Sequence, residues 1–393
     1  MSKIIKEKRR IKMVIGIFLS VWMVLTPVLE CMAAPEIKSK SAILMEASTG
    51  QIVFESNSEE KRSPASITKI MTILLTFEAL SEQQIHMEDA VSVTAHAASM
   101  GGSQVWLEEG EIQKLETLLK CVIVASANDA SVAIAEHIAG SEEAFVQMMN
   151  EKAGDLGMVN TNFEDCCGLT DSENHYTTAK DVAIMSRELI TKYPDVFQYT
   201  GIWMEDFVHS TSKGESVFTL SSTNKLLKQY DWITGLKTGF TSKAMYCVSA
   251  TGAKNGMELI AVVLGGPDSA TRFQEAAALL NYGYSTCKLY VDETPPVLPE
   301  VVVKGGKEDS ALLQYTGKFT YLDTEKRNFD GVERSLEVAT EVEAPVKKGT
   351  PAGYVVYKLD GKMLGRMAVE YADDVERATF GDVLMEILKK YCI

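Results

Sequence analysis

The sequence predicts an α/β protein: a larger domain over residues 36–288, with strands flanking a central helical block, followed by a small β-rich domain over residues 292–375. Three observations lead there. Apolar residues alternate on both sides of Ser48-Thr49-Gly50, and again over residues 244–251 and 258–264 around Asn255-Gly256. That is the pattern of hairpins turning at residues that tolerate positive φ. Between these strands the apolar spacing becomes helical, over residues 67–80, 111–139, 142–157 and 178–192, and it does so once more over 272–284. Past Pro295, Pro296 and Pro299 the pieces shorten to strand-like runs such as 301–303 and 354–358, with turn signals at Lys348-Gly349 and Asp360-Gly361.

Taken from the N-terminus, the chain opens with Lys3, Lys6, Lys8, Arg9, Arg10 and Lys12, followed by an apolar run over 13–25 and by Ala33-Ala34 before Pro35. A positive start, an apolar centre and small residues at its end describe a secretory signal peptide over residues 1–33, cleaved after Ala33 with Cys31 at the −3 position. The alternative is a retained membrane anchor, because the apolar stretch up to Leu29 approaches a spanning length. Glu30 before Cys31 argues against lipoprotein processing. Cleavage would remove six basic and two acidic groups, taking the formal net charge from −15 to −19. A chain this acidic, with no basic run past its first dozen residues, is not a nucleic-acid binder, which needs a positive face.

Helix 67–80 is apolar almost throughout, so it is expected to be buried, with Ser66 at its start. At the other end of the chain, Phe380, Val383, Leu384, Ile387, Leu388 and Tyr391 recur at helical spacing, opposite Asp382, Glu386, Lys389 and Lys390. A helix over 380–393 is too short to span a bilayer, at about 20 Å. It either lies in a membrane interface or packs on its own protein. The six cysteines left after cleavage show no disulfide framework, and adjacent Cys166 and Cys167 would make a strained bridge, so buried free thiols are expected. The five histidines lack zinc-ligand spacing with them, and no metal or other cofactor is implied.

The chemistry sits in three short patterns. Lys237-Thr238-Gly239 occurs once. Ser-x-x-Lys begins at Ser58, Ser66, Ser210, Ser222 and Ser285, and Ser-x-Asn at Ser126, Ser172 and Ser222, so neither means much alone. Only Ser66-Ile67-Thr68-Lys69 opens a long apolar helix, with serine and lysine on one face. A serine hydroxyl needs a neighbouring base. A lysine serves if burial and a nearby positive charge, such as that of Lys237, favour its neutral form. Ser126-Ala127-Asn128 follows the apolar stretch 118–125; its hydroxyl can relay a proton and its amide can orient a peptide. The order Ser-x-x-Lys, Ser-x-Asn, Lys-Thr-Gly is that of penicillin-recognising serine acyl-transferases.

With Pro64-Ala65-Ser66-Ile67-Thr68-Lys69-Ile70-Met71-Thr72, the stretches 126–130, 135–142, 156–158 and 235–239, and the Asp360-Gly361-Lys362 turn, nearly the whole mature chain resembles the D-alanyl-D-alanine carboxypeptidase family, low-molecular-mass penicillin-binding serine peptidases. The resemblance implies a penicillin-recognising, transpeptidase-like antiparallel sheet with a helical block, plus a β-rich C-terminal domain. It implies removal of the terminal D-alanine from peptidoglycan stem peptides at the outer face of the membrane, and covalent inhibition by β-lactams. Carried over by motif, Ser66 is the nucleophile, Lys69 the proton acceptor and Ser126 the relay. Asn128, Lys237 and Gly239 line the substrate, and the backbone N–H groups of Ser66 and Phe240 form an oxyanion hole. Thr238, with Arg272, takes the terminal carboxylate, unless Arg272 is merely a helix-surface charge. Ala127 and Met245 stand where the family commonly has glycine. A class A β-lactamase is disfavoured because no Glu-x-x-Leu-Asn lies between Asn128 and Lys237. A non-catalytic penicillin sensor would not need both lysines and both serines.

Overall fold

The computed structural model describes residues 34–211 and 214–391. The candidate signal segment 1–33 lies outside the described residues, as do Cys392 and the side chains of Lys390 and Tyr391. Five strands form the central sheet: β1 (Ser41–Glu46), β2 (Ile52–Ser56), β3 (Ile233–Thr241), β4 (Met245–Lys254) and β5 (Met257–Gly266). Their spatial order is β2-β1-β5-β4-β3, every neighbour antiparallel. Each expected hairpin is present, and Asn255 and Gly256 take φ of +54° and +73°, the geometry of the tight turn their types favour.

The longer helices are α1 (Lys69–Ser81), α2 (Leu115–Val124), α3 (Asn128–Ala139), α4 (Glu142–Asp155), α5 (Ala179–Lys192), α6 (Ser269–Thr286) and α7 (Phe380–Tyr391). Oxygens of Ser141, Thr178 and Asp268 accept from first-turn N–H groups of α4, α5 and α6, which explains where those helices begin. Helix α1 is buried on nearly every side, as its composition requires, and packs in one apolar core with α2, α3 and α5. Helix α6 covers the other face of the sheet, with Phe273, Ala276, Leu279 and Leu280 against Leu44, Val248 and Leu259.

The helical run expected over 111–139 is broken. Residues Ile112–Lys114 form a short strand, and α2 and α3 are separated at 125–127, where Ser126 takes a left-handed φ of +63°. An antiparallel hairpin, Met204–Thr211 with Gly214–Ser221, stands beside this region. Beyond the sheet, the C-terminal part is β-rich. Pro351–Leu359 and Lys362–Tyr371 form the centre of a four-stranded antiparallel sheet over a core of Val355, Tyr357, Met367 and Val369. Ala344–Pro345 is a cis peptide. Helix α7 is capped by Thr379 and Asp382 bonding reciprocally. The described residues of its apolar stripe are exposed, Phe380 being 84% and Ile387 50% accessible. Among the described residues no helix is long and apolar enough to cross a membrane. The five described cysteines are all buried and free.

Candidate active site

Ser66 lies in a 3-10 turn, Ala65–Thr68, that runs directly into α1. Ala65 takes a φ of +48°, a conformation that costs a non-glycine residue energy and turns the chain sharply before the serine. Strand β3 comes against this turn at Gly239, where a Cβ would stand 3.0 Å from the Pro64 carbonyl and 3.1 Å from the Ser66 and Ile67 nitrogens. Glycine in the Lys-Thr-Gly tripeptide thus suits the close approach of two backbones, where a larger residue would push them a few tenths of an ångström apart.

Lys69, one helical turn on, is fully buried. Its Nζ lies 3.2 Å from Ser66 Oγ, 2.6 Å from Asn128 Oδ1 and 2.8 Å from the Cys167 carbonyl. A neutral amine has two N–H bonds and one lone pair. The Asn128 and Cys167 oxygens accept the two N–H bonds, and the lone pair is left for the Ser66 hydroxyl. Burial pushes the Lys69 ammonium below its ordinary value, with Cys167, Cys166, Asp165 and Asp129 pulling the other way. The main cause is therefore desolvation, the first of the two influences, burial and the charge of Lys237, that the sequence suggested.

Ser126 faces Lys237: the lysine Nζ donates to Ser126 Oγ at 2.7 Å and to the Thr238 carbonyl at 3.0 Å. Lys237 is held well below its ordinary value by burial first, then by Lys69 and Arg272. The Asn128 amide is fixed at both ends, its Nδ2 donating to Gly101 O at 2.7 Å. Thr238 Oγ1 donates to Thr223 Oγ1 at 2.7 Å. Arg272 is not a helix-surface charge. It is 7% exposed, and its Nη1 donates to the carbonyls of Gly239 at 2.9 Å and Cys247 at 3.1 Å, pinning β3 to β4. The Phe240 ring is 52% exposed and lies 4.4 Å from that of Tyr246, its cross-strand partner. Met245, where glycine is common in the family, adopts a φ of +60°.

Sequence reasoning brought Ser66, Lys69, Ser126, Asn128, Lys237, Thr238 and Gly239 into one site but missed the loop that closes it from behind. The Asp165 carboxylate accepts from the N–H groups of Cys167, Gly168, Leu169 and Thr170. That cage presents the Cys167 carbonyl to Lys69 and the Cys166 carbonyl to Thr72 and Ser131. Gly168 presses on the Ser66 turn: a Cβ there would lie 1.8 Å from the Ala65 oxygen. Asp129, next to Asn128, similarly accepts from Val105 and Leu107 and holds the 101–107 loop beside the site. Thr223, too, lay unnoticed inside one of the discounted Ser-x-Asn matches. None of these has a sequence signature, since each acts through a backbone group remote in the chain.

A serine and a buried lysine within hydrogen-bonding reach, beside a second serine–lysine pair whose lysine lies on the edge strand of the sheet, fit the class of active-site-serine acyl-transfer enzymes. Residues 29–268 match the family model described as D-alanyl-D-alanine carboxypeptidase, and 284–377 that of the penicillin-binding protein 5 C-terminal domain. The D-alanyl-D-alanine carboxypeptidase DacF of Bacillus subtilis is 40% identical over 346 residues, covering 87% of each chain. Penicillin-binding protein 5 of Haemophilus influenzae superposes with a TM-score of 0.73 at 30% identity, over 87% of this chain and 99% of that one. Penicillin-binding protein D2 of Listeria monocytogenes, solved in its ampicillin-bound form, gives 0.56 at 27%, over 64% and 100%. The chain belongs to the D-alanyl-D-alanine carboxypeptidase family of serine peptidases. It has that family's fold, an antiparallel sheet with helices and a β-rich C-terminal domain.

Proposed function

We propose that the chain removes the terminal D-alanine from peptidoglycan stem peptides through an acyl-enzyme on Ser66. The observation that carries this is the buried Lys69 Nζ, 3.2 Å from Ser66 Oγ and held by the Asn128 and Cys167 oxygens, so that its neutral form would turn a lone pair to the serine. Ser66 Oγ attacks the carbonyl of the penultimate D-alanine while Lys69 accepts the hydroxyl proton. The Ser66 and Phe240 N–H groups stabilise the oxyanion. As the C–N bond breaks, Ser126, bonded to Lys237, gives its proton to the departing D-alanine nitrogen and takes in return the one that Lys69 had accepted. Water then releases the shortened peptide and restores the serine. Thr238, with the positive charge of Arg272 behind β3, favours the terminal carboxylate, while Asn128 and the edge of β3 at Gly239 align the peptide backbone. A β-lactam acylates the same oxygen through its ring amide, and the ampicillin-bound form of the Listeria relative supports that reading.

The same reading puts the enzyme outside the cytoplasmic membrane, carried there by residues 1–33 and held near its substrate by α7. The exposed stripe of Phe380, Val383, Leu384, Ile387 and Leu388, with Lys389 beside it, supports an interfacial helix. The catalytic part is assigned to 36–288, the β-rich part to 292–375 and the anchor to 380–393. The deciding experiment is mass analysis of the products from a defined pentapeptide muropeptide, with and without an acceptor amine. Loss of one D-alanine is expected. Products unchanged by the enzyme would overturn the assignment, and amine-linked products alone would make it a transpeptidase.

A further inference from the structure

A single imidazole links the Asp165 loop to the nucleophile turn. His175 is 1% exposed and lies edge-on to Phe163, ring centres 5.9 Å apart. Its Nδ1 is 3.0 Å from the backbone nitrogen of Glu164. A backbone N–H can only donate, so Nδ1 is the unprotonated nitrogen. The ring proton is then on Nε2, which donates to Thr68 Oγ1 at 2.8 Å. Thr68 Oγ1 in turn donates to the Ala65 carbonyl at 2.9 Å. The three bonds run one way, from the loop to the left-handed residue preceding Ser66. Gly168 rests on that same carbonyl, and its neighbour Cys167 holds Lys69. Both ends of the Ser66–Lys69 turn are therefore set by one loop, and His175 is the side chain that ties them.

We propose that His175 is a positioning residue for acylation: neutral, it locks the Ser66–Lys69 turn against the 163–170 loop, and taking up a proton unlocks it. The inference rests on the roles assigned above to Ser66 and Lys69. A proton on Nδ1 would face the Glu164 N–H, donor against donor, in a buried position. The groups around the ring act in opposite senses. Burial, the largest influence, holds His175 below its ordinary value; Asp165 and Glu164 favour the charged ring, and Lys243 opposes it. Asp165 cannot turn to partner the ring without giving up its four backbone donors. Acylation then needs two neutral bases, Lys69 for the chemistry and His175 for the geometry, and its acid limb is steeper than one proton explains.

The test measures acylation of the purified full chain by a fluorescent penicillin from pH 4.5 to 9, separating non-covalent binding from the bond-forming rate. His175→Asn keeps an acceptor for Glu164 but does not reach Thr68, and is expected to slow bond formation about 30-fold with binding unchanged. His175→Gln places an amide N–H near the Nε2 position and does not titrate. It is expected to recover the rate to within about threefold, with an acid limb of single-proton slope in place of the wild type's two. Wild-type rates in His175→Asn, or a two-proton limb retained in His175→Gln, overturn the proposal. If His175→Asn fails to fold by circular dichroism, the slope in His175→Gln decides alone. A Ser66→Ala control that still labels marks failure of the nucleophile assignment, separately from that of His175.

Discussion

Replacing Gly168 by alanine tests the support of the site without touching a reacting atom. The added Cβ would start 1.8 Å from the Ala65 carbonyl oxygen and 2.8 Å from Thr68 Oγ1, where contacts under 3.0 Å essentially never occur. The neighbour nearest to it is backbone, so the loop must retreat by more than an ångström. Alanine at a φ of +78° adds about 1–2 kcal/mol of conformational strain. Together the strain and the displaced packing should cost about 2–4 kcal/mol, lowering Tm by roughly 5–10 °C for a core of this size. Function should suffer more than stability. The retreating loop carries the Cys167 oxygen that orients Lys69, and an ångström of misplacement at a reacting group costs about 100-fold. Stopped-flow acylation by a fluorescent penicillin reads the rate, and differential scanning calorimetry reads Tm. A folded Gly168→Ala protein that acylates within threefold of wild type, at unchanged Tm, would refute the idea that this loop positions the base.

Four further outcomes are expected. Ser66→Ala abolishes the penicillin adduct seen by mass spectrometry, and an adduct on Ser126 or Ser210 would move the nucleophile. Lys69→Arg keeps a charge that does not dissociate near neutrality, so D-alanine release collapses in a folded protein. The same lysine sets a pH trend: its folded-state value lies below 10.5, so the unfolded chain binds more protons between the two values and stability rises with pH across that window. Lys69→Met should flatten that rise in urea unfolding between pH 7 and 10, and an unaltered slope would count against a desolvated base. Truncation after Thr379 leaves turnover of soluble peptide nearly unchanged and moves the protein from membranes to the soluble fraction; unaltered membrane retention would transfer suspicion to residues 1–33.

What could be read from the sequence was what is locally determined. The hairpins at Ser48-Thr49-Gly50 and Asn255-Gly256 and the apolar helix behind Ser66 follow from side chains within a few residues of one another. The break between α2 and α3 does not. Periodicity runs through Ala125 and Ser126, and the left-handed turn there aims the Ser126 hydroxyl at Lys237, 111 residues away. The 204–221 hairpin escaped notice because its alternation is impure, with Val208 and Val217 facing outward as an exposed cross-strand pair. Arg272 looks on a helical wheel like a surface charge, and only the packing of α6 on the sheet turns it toward two strand carbonyls. Asp165 and His175 belong to no motif, because their partners are N–H and carbonyl groups that every residue type possesses.

The two buried lysines have a consequence for how ligands are held. Burial pushes Lys69 and Lys237 toward their neutral forms, Lys237 partly through its cationic neighbours as well. An anionic ligand, whether a peptide ending in a carboxylate or a penicillin, brings the opposite charge into that space and makes a protonated Lys237 affordable again. Ligand and proton then enter as a pair. The calorimetric heat of complex formation with Ser66→Ala protein should accordingly vary with the ionisation enthalpy of the buffer, and affinity should fall as pH climbs above the range in which Lys237 can reclaim its proton. Charge would then be selected through proton supply as well as through shape.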